Sequence, residues 1–289
     1  MLFVPALDNK ATGQLQAVTQ RHRTALATVP SSDPVGNPRM TLRLRIASWH
    51  LLGSVAAATC AWWLVFRLWY PPPFAELAGG AALFLLLVAV DVVIGPALTL
   101  VVANPRKRRS ELLRDLTVIL GLQLLAFGYG LNTMALVRPV AIVFEYDLWR
   151  VVAANDIDVK ELAAAPAALR NLPWGGPRVL AVVKPQDPAE QLRIIELGLA
   201  GVPLAAMPAH WREFAEHAPM AWKAAKPVAN LLTRQPTFLA QAEVVAKRAG
   251  VPLNELRVLP VMARRSEWVA LMSAPGARIV GYLPLSADP

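Results

Sequence analysis

Three long apolar runs dominate the first half of the chain. They cover residues 46–66, 77–103 and 116–137, and each has about the 20 residues that an α-helix needs to cross the hydrocarbon core of a bilayer. Pro71-Pro72-Pro73 follows the first run, and Arg138-Pro139 follows the third, where proline ends a helix. The pattern predicts a membrane protein with three N-terminal transmembrane α-helices within residues 46–138.

The second half of the chain has shorter apolar segments separated by turn residues, which is typical of a soluble domain of mixed structure. Strands are predicted over 140–152 and 178–184, and in a closing meander over 257–263, 267–273 and 278–284. Helices are predicted after the capping pattern Asp158…Glu161, after Asp187-Pro188, and over 219–232 and 237–249. Residues 139–289 are therefore expected to form a small α+β domain.

Residues 1–45 show little apolar periodicity, and residues 31–38 carry a dense turn signal. We expect a disordered tail that contains no secretory signal. Because a short basic segment that leads into the first helix follows Met40 directly, we also expect the native chain to begin at Met40.

The basic residues indicate how the helices are oriented. Six of them precede the first apolar run, and five more lie in the loop between the second and third runs, from Arg106 to Arg114. The loop between the first two runs has no Lys or Arg beyond Arg67. The positive-inside rule places the N-terminus and the Arg106–Arg114 loop in the cytoplasm. Residues 139–289 are then periplasmic in a bacterium.

The chain carries a net charge of +9, but many of these charges are the topology signals described above. No basic and aromatic module for nucleic acid is present in the sequence, and we expect no nucleic-acid partner. Cys60 is the single cysteine, so an intrachain disulfide is excluded.

No motif for a nucleophile, a nucleotide or a catalytic metal occurs in the sequence. His210 and His217 lie seven residues apart, which is about 10 Å of rise on a helix and too far for joint binding of one ion. We therefore predict no catalytic residue, no cofactor and no metal.

Asp91 is the most informative single residue, because it lies near the middle of the second apolar run. A charge at that depth costs about 2.5–3.5 kcal/mol on insertion scales, so it needs a partner. α-Helical spacing places Gly95, Leu98 and Thr99 on the face of Asp91, and Pro96 frees a backbone carbonyl. The expected partners are His50 in the first helix and Gln123, Tyr129 or Asn132 in the third.

Three roles for Asp91 remain open at this point: a protonated contact between helices, a contact with another protein's transmembrane helix, or a proton or ion path. Small residues favour close contact between membrane helices. The chain supplies them at Gly95, Ala126, Gly128 and Gly130.

A series of short motifs between Met40 and Ile157 resembles one family. The most specific are D-V-V-I-G-P-A-L-T-L at residues 91–100 and Arg138-Pro139. Others are His50-Leu51-Leu52, Trp69-Tyr70-Pro71, Lys107, Asp115-Leu116, Gln123, Tyr129-Gly130 and residues 143–157. In these positions the chain is similar to the type IV pilin accessory proteins, which assist pilin subunits at the bacterial inner membrane.

The resemblance implies a non-enzymatic protein that binds pilin, through its membrane helix and its periplasmic head, and modulates its stability or assembly. The implied partners are pilin, the lipid bilayer and other pilus assembly proteins. The candidate contact residues are His50, Asp91, Gly95, Pro96, Thr99, Gln123, Tyr129, Gly130, Arg138 and Pro139. A membrane-bound enzyme or transporter subunit that uses Asp91, and a sensor with a periplasmic domain, are the alternatives.

The orientation can be tested with a reporter enzyme that is active only outside the cytoplasm. We expect activity when the reporter is fused after Pro289 and none when it is fused at Arg108, because the basic loop stays inside. The opposite pattern of activity would contradict the model of three crossings.

Overall fold

The computed structural model describes residues 38–104, 106–263 and 267–284, with the side chains described from residue 42 onward. Predictions for residues 1–37 lie outside these residues. The disordered tail was predicted as far as residue 45, and for residues 38–45 this was wrong, because the chain is helical from Pro38. Three helices are long and apolar enough to cross a membrane: helix 1 (Leu42–Trp69), helix 2 (Gly80–Val102) and helix 3 (Arg109–Leu136). The prediction of three such helices is confirmed.

Two of these helices contain a π-helical turn. Helix 1 is α-helical over Pro38–Trp63 and π-helical over Leu64–Trp69. Helix 2 is α-helical over Gly80–Val88, π-helical over Ala89–Ile94 and α-helical again over Gly95–Val102. A π turn holds more residues than an α turn, so it changes which side chains share a face.

The π turn corrects the predicted face of Asp91. Gly95, Pro96 and Thr99 are buried with Asp91, whereas Leu98 is 47% exposed and points away from it. In an unbroken α-helix the position seven residues after Asp91 would share its face, and the larger π turn shifts that position away. The expectation that Leu98 shares that face was wrong because it assumed an unbroken α-helix.

The second apolar run does not form one helix from residue 77. Residues Phe74–Leu77 form a separate short helix, and Gly79, with φ of 73°, breaks the chain before helix 2 begins. An apolar run shows that its residues are hydrophobic but not where the backbone changes direction, so the sequence pattern did not predict this break.

The C-terminal domain is built on a mixed eight-stranded sheet. Its strands are β1 (Pro139–Glu145), β2 (Leu148–Ala153), β3 (Arg178–Val182), β4 (Trp211–Glu213), β5 (Lys226–Pro227), β6 (Arg257–Met262), β7 (Glu267–Ser273) and β8 (Arg278–Pro284). The order is β4-β3-β1-β2-β6-β7-β8, with β5 beside β6. The pairs β1–β3 and β2–β6 are parallel and the others are antiparallel.

Both faces of the sheet are covered, as the central strand β1 shows. Ile142 and Phe144 belong to one hydrophobic cluster, and Ala141 and Val143 belong to another. Because alternate side chains of a strand point to opposite faces, the two clusters lie on opposite sides. The near-continuous apolar sequence of β1 follows from this burial.

The single strand predicted over 140–152 is in fact a hairpin. β1 pairs with β2 around Tyr146-Asp147, and Tyr146 has a φ of 62°. Tight hairpin turns with positive φ usually contain Gly, Asn or Asp at that position. A tyrosine there gives no turn signal, which explains the wrong prediction.

The closing meander of β6, β7 and β8 is confirmed, and so is the strand that became β3. The helix Pro188–Leu199 begins as predicted, with the Asp187 side chain accepting from the backbone N–H of Glu190 at 3.1 Å. The helix predicted over 237–249 is present as Leu239–Ala249 and ends at Gly250, with φ of 66°.

Two helix predictions in this domain were wrong. The continuous helix over 219–232 is divided into Ala218–Ala224 and Val228–Arg234, because the intervening Lys226-Pro227 pairs with β6. The segment after Asp158 is a 3₁₀ helix, Val159–Ala164, in which the Asp158 side chain accepts from the backbone N–H of Lys160, while the Asp158 carbonyl accepts from that of Glu161.

The remaining short 3₁₀ helices connect these elements: Ala154–Asp156, Ala167–Leu169, Leu204–Ala206, Pro208–His210, Phe214–His217, Pro236–Phe238 and Leu253–Glu255. His210 and His217 therefore do not share one helix, because β4 lies between them.

The segment between helices 1 and 2 packs directly on the sheet. Leu77 is fully buried in the same hydrophobic cluster as Ile142 and Trp149. The ring of Phe74 contacts the edge of the Tyr282 ring, with 5.9 Å between the ring centres. Helix 3 leads into β1 through Val137 and Arg138. The sheet is therefore attached to the helices at both connections.

Helices 2 and 3 approach each other closely at Gly130. A Cβ atom added there would lie 2.6 Å from Leu87 Cδ1, whereas one added at Gly128 would meet nothing within 4 Å. Gly130 is thus a contact residue between helices 2 and 3, whereas Gly128 makes no such contact with the described residues, and its contact with a partner helix stays a prediction.

This difference gives a matched test of helix packing. Gly130→Val should lower the free energy of unfolding by about 1–3 kcal/mol, the usual cost of overpacking, because Leu87 has to move. Gly128→Val should leave it unchanged. The measurement is reversible unfolding of the purified protein in bicelles, and equal effects of the two variants would contradict this packing.

Candidate functional site

A groove opens between helices 1 and 3, and helix 2 forms its floor. Its volume is about 400 Å³. The lining residues come from helix 1 (Ile46, Trp49, His50, Gly53, Ser54 and Ala57), helix 2 (Asp91 and Thr99) and helix 3 (Leu116, Leu120, Gln123 and Leu124). The C-terminal half of helix 1 closes against its neighbours, since Ala61, Val65 and Trp69 pack with Phe84 and Met134. The groove is therefore confined to the half of the bundle that contains the N-terminus of helix 1.

The wall from helix 1 is a face of small residues. Gly53 and Ser54 lie one turn before Ala57 on it, and a Cβ atom added to Gly53 would meet nothing within 4 Å. Small residues at this spacing let a second helix approach closely in a membrane. Within the described chain, no other helix covers Gly53.

The floor of the groove is organised by Pro96. Proline has no N–H to donate to the preceding turn of helix 2. At this turn the side chain of Gln123 donates to the backbone of helix 2, with Nε2 at 3.3 Å from the Asp91 carbonyl oxygen. Helix 3 is thereby joined to helix 2 beside Pro96.

Gly95 makes this contact possible. A Cβ atom at residue 95 would lie 1.8 Å from Gln123 Nε2, which is far inside van der Waals contact. Four of the residues selected from the sequence, Asp91, Gly95, Pro96 and Gln123, thus form one interlocked unit between helices 2 and 3.

Two acceptor atoms of this unit have no partner among the described residues. Asp91 is only 7% exposed, and its Oδ1 is buried without a hydrogen bond. Gln123 Oε1 is buried without one as well. Both residues line the groove. The apolar groove therefore contains two unsatisfied oxygen atoms at its floor.

His50 and Thr99 join helices 1 and 2 at the same groove. His50 Nδ1 lies 2.5 Å from Thr99 Oγ1, and Thr99 is fully buried. The contact holds the N-terminal half of helix 1 to helix 2, so the groove is bounded rather than open along its whole side.

None of the four expected partners donates to Asp91 Oδ1. Gln123 donates to the backbone carbonyl of Asp91, and His50 contacts Thr99. Tyr129 is 75% exposed and Asn132 is also exposed, and neither donates to Asp91. Tyr129 and Gly130 line a smaller cavity of about 230 Å³ that Asp91 also borders.

Arg138 and Pro139 lie outside the groove, where helix 3 meets the sheet. Arg138 donates to the carbonyl of Ala135 at 2.5 Å, and its guanidinium lies 4.9 Å from the centre of the Trp174 ring. Burial lowers the pKa of Arg138. Pro139 begins β1 and pairs with Ala153. These two residues position the sheet domain.

Tyr70 strengthens the same junction from the end of helix 1. Its hydroxyl donates to the carbonyl of Met134 in helix 3 at 3.0 Å, and the ring is fully buried. Burial raises the pKa of Tyr70, so the phenol remains protonated and acts as a donor.

Sequence reasoning did not select Trp49, Ser54 or Ala57 in the groove. The signal that could have found them is the spacing of Gly53 and Ala57 with Trp49, because positions i, i+4 and i+8 share a helix face. Trp174, which packs on Arg138, follows no periodic pattern.

A larger cavity of about 610 Å³ lies in the sheet domain beside Leu259-Pro260 of β6, between the segments of β6 that pair with β5 and with β2. Its lining includes the charged residues Asp147, Lys226 and Arg234. Among its described lining residues, no buried side-chain oxygen or nitrogen lacks a partner. That property separates it from the groove between the helices.

Within residues 38–104, 106–263 and 267–284, no group of three or more His, Cys, Asp or Glu side chains is placed to hold a metal ion. His210 is buried and lies 3.1 Å from Glu190 Oε1, and Arg193 contacts the same carboxylate at 3.0 Å. These contacts hold the helix Pro188–Leu199 against the segment before β4.

The sequence profile of the family described as fimbrial assembly protein FimB matches residues 38–79. A fimbrial assembly protein of serogroup I from Dichelobacter nodosus is 34% identical to the chain over 236 residues, covering 81% of this chain and 92% of that protein. The chain belongs to the fimbrial assembly protein family. A second family member, from serogroup E1 of the same organism, is 33% identical over the same shares of the two chains.

The fimbrial assembly protein of serogroups C1 and C2 is shorter: it is 39% identical over 127 residues, which is 44% of this chain and 97% of that protein. No solved structure matches the chain. Membership of this family confirms the resemblance that the motifs at residues 91–100 and 138–139 indicated.

The interlocked unit can be tested through Gly95. Gly95→Ala should lower the free energy of unfolding by about 1–3 kcal/mol, because the new methyl group displaces the Gln123 side chain. Gly121→Ala is the matched control, since a Cβ atom at Gly121 meets nothing within 4 Å.

In a double-mutant cycle, Gly95→Ala should cost little once Gln123→Ala has removed the clash. Reversible unfolding in bicelles measures all four proteins. Additive effects of the two substitutions would show that Gly95 and Gln123 do not interact.

Proposed function

We propose that this protein is a non-enzymatic accessory protein of type IV pilus assembly in the bacterial inner membrane. It binds pilin subunits and modulates their stability or their delivery to the assembly machinery. Membership of a family whose relatives are named for fimbrial assembly supports a role in this process. The observation that carries the binding proposal is the open groove between helices 1 and 3.

The surfaces of the three helices fit a lipid environment. Their outward side chains are large and apolar, such as Leu85, Val101 and Leu125. Arg43 and Arg45 precede the apolar part of helix 1, and Arg108 and Arg109 stand at the start of helix 3. These basic residues mark one membrane surface, which the positive-inside rule assigns to the cytoplasm.

The groove fits one further transmembrane helix. From Ile46 to Ala57 its wall extends over twelve residues, or about 16 Å of helix, which is half of a bilayer core of about 30 Å. The apolar lining of the groove suits a lipid-embedded partner. The open face at Gly53 and Ala57 permits the close backbone approach that membrane helices use.

The sheet domain would meet the extramembrane part of the same partner. Leu77 and Arg138 attach it to the ends of the helices, so its position relative to the groove is defined. A pilin subunit combines a membrane helix with a periplasmic head, and it would contact both parts at once. A single acid in an apolar groove favours this role over an ion path.

Filling the groove tests the proposal. Ala57→Trp places a large ring in the groove and should reduce the amount of pilin that co-purifies with the full-length protein at least about tenfold, since about 1.4 kcal/mol is a factor of ten in an equilibrium constant. Ala56→Trp is the matched control, because the exposed Ala56 does not line the groove.

Pilin is quantified by immunoblot per unit of membrane-inserted protein. Retention of pilin by Ala57→Trp at the level of Ala56→Trp would reject the groove as the binding site. Absence of pilin from the parent preparation would reject the proposed function.

A further inference from the structure

Two buried oxygen atoms at the groove lack hydrogen-bond donors, although the rest of the lining is mostly apolar. Asp91 Oδ1 and Gln123 Oε1 are buried hydrogen-bond acceptors without partners among the described residues. The core of a bilayer contains no water to satisfy them, and an unpaired polar group in such a medium costs several kcal/mol. The two unpaired oxygen atoms raise the free energy of the unoccupied groove. A ligand that donates hydrogen bonds to them removes this cost.

No donor of the described residues is placed on either oxygen. One N–H of Gln123 Nε2 donates to the Asp91 carbonyl, and the His50 ring contacts the Thr99 hydroxyl. Tyr129 and Asn132 are exposed and do not donate to Asp91. A molecule that occupies the groove can therefore supply the donors that these two oxygen atoms lack.

The position of Asp91 along helix 2 determines how deep in the membrane a donor to its side chain has to lie. Asp91 is the twelfth of the 23 residues of helix 2, so it lies about 16 Å from either end at 1.5 Å per residue. The required donor is therefore a side chain at the middle of the membrane. A lipid headgroup does not reach this depth.

We propose that the groove binds a transmembrane helix that carries an uncharged hydrogen-bond donor, a hydroxyl or carboxamide side chain, at mid-membrane. Uncharged donors match the two acceptors without the insertion cost of a cation, which is about 2.5–3.5 kcal/mol for lysine. The specificity of the site then depends on Asp91 and Gln123, and its affinity on the apolar walls. The identity of the occupant as pilin rests on the proposed function, whereas the donor requirement rests on the groove alone.

The proposal separates binding from stability. If Asp91 served only to hold the helices together, Asp91→Leu would lower the free energy of unfolding. Because its Oδ1 has no partner in the described chain, we expect Asp91→Leu to unfold no more easily than the parent protein. The same substitution should remove the preference for a donor-bearing helix.

Disulfide cross-linking in nanodiscs tests the preference directly. The full-length protein carries Ala57→Cys, with Cys60→Ser to remove the native thiol, and the probe is a synthetic leucine-alanine transmembrane peptide with one cysteine beside its centre. The central residue of the peptide is Leu, Ser, Asn or Lys. Ala56→Cys, which lies outside the groove lining, is the control for random collision.

We expect the Asn peptide to cross-link to Cys at position 57 at least about threefold more than the Leu peptide, which corresponds to an average polar contact between membrane helices. Ser should be intermediate, because a hydroxyl has one donor and a carboxamide has two. Asp91→Leu combined with Gln123→Leu should make the Asn and Leu peptides equal. The control position should not distinguish the peptides.

Equal cross-linking of the Asn and Leu peptides to the parent protein would overturn the proposal. So would a preference that survives the double Leu variant, or a Lys peptide that exceeds the Asn peptide. If pilin co-purifies and depends on Ala57 but no peptide preference exists, the proposed function stands and this inference fails. If the preference exists but pilin does not bind, the groove has this chemistry and its client is another helix.

Discussion

The hydrogen bond from Gln123 to the backbone carbonyl of Asp91 is the interaction on which the membrane part of this protein depends. It lies beside Pro96, which has no N–H to donate, in a bilayer core that offers no water in its place. Only glycine at position 95 leaves room for the Gln123 side chain. This arrangement fixes helix 3 against helix 2 and leaves two buried oxygen atoms, Asp91 Oδ1 and Gln123 Oε1, without partners among the described residues.

The sheet domain helps to hold the C-terminal end of helix 1, whose N-terminal half forms one wall of the groove. The segment between helices 1 and 2 inserts Leu77 into the core of the sheet, and Tyr70 ties the end of helix 1 to helix 3. Helix 1 is thereby held at its C-terminal end, while its N-terminal half contacts helix 2 through His50 and Thr99. A groove that is fixed at one end and contacted at the other suits a partner that enters from the lipid.

The sequence identified the parts of the site better than their arrangement. Proline, glycine and an acid in one apolar run indicated a special segment at residues 91–96, and these residues do meet Gln123. The π turn is a change of backbone register that no side-chain pattern records, so Leu98 was placed on the wrong face. In the sheet domain, strands bounded by glycine and proline were predictable, whereas the hairpin at Tyr146 and the break at Lys226-Pro227 depend on contacts with distant strands.

The central claim is that a pilin helix occupies the groove, and photo-crosslinking in living cells tests it most directly. A photoreactive amino acid is introduced at Ala57, inside the groove, or at Ala56, on the exposed side of the same helix, and the products are identified by mass spectrometry. The account predicts a covalent product with the transmembrane helix of pilin from position 57 and not from position 56. No pilin product at position 57, or equal products at both positions, would contradict it.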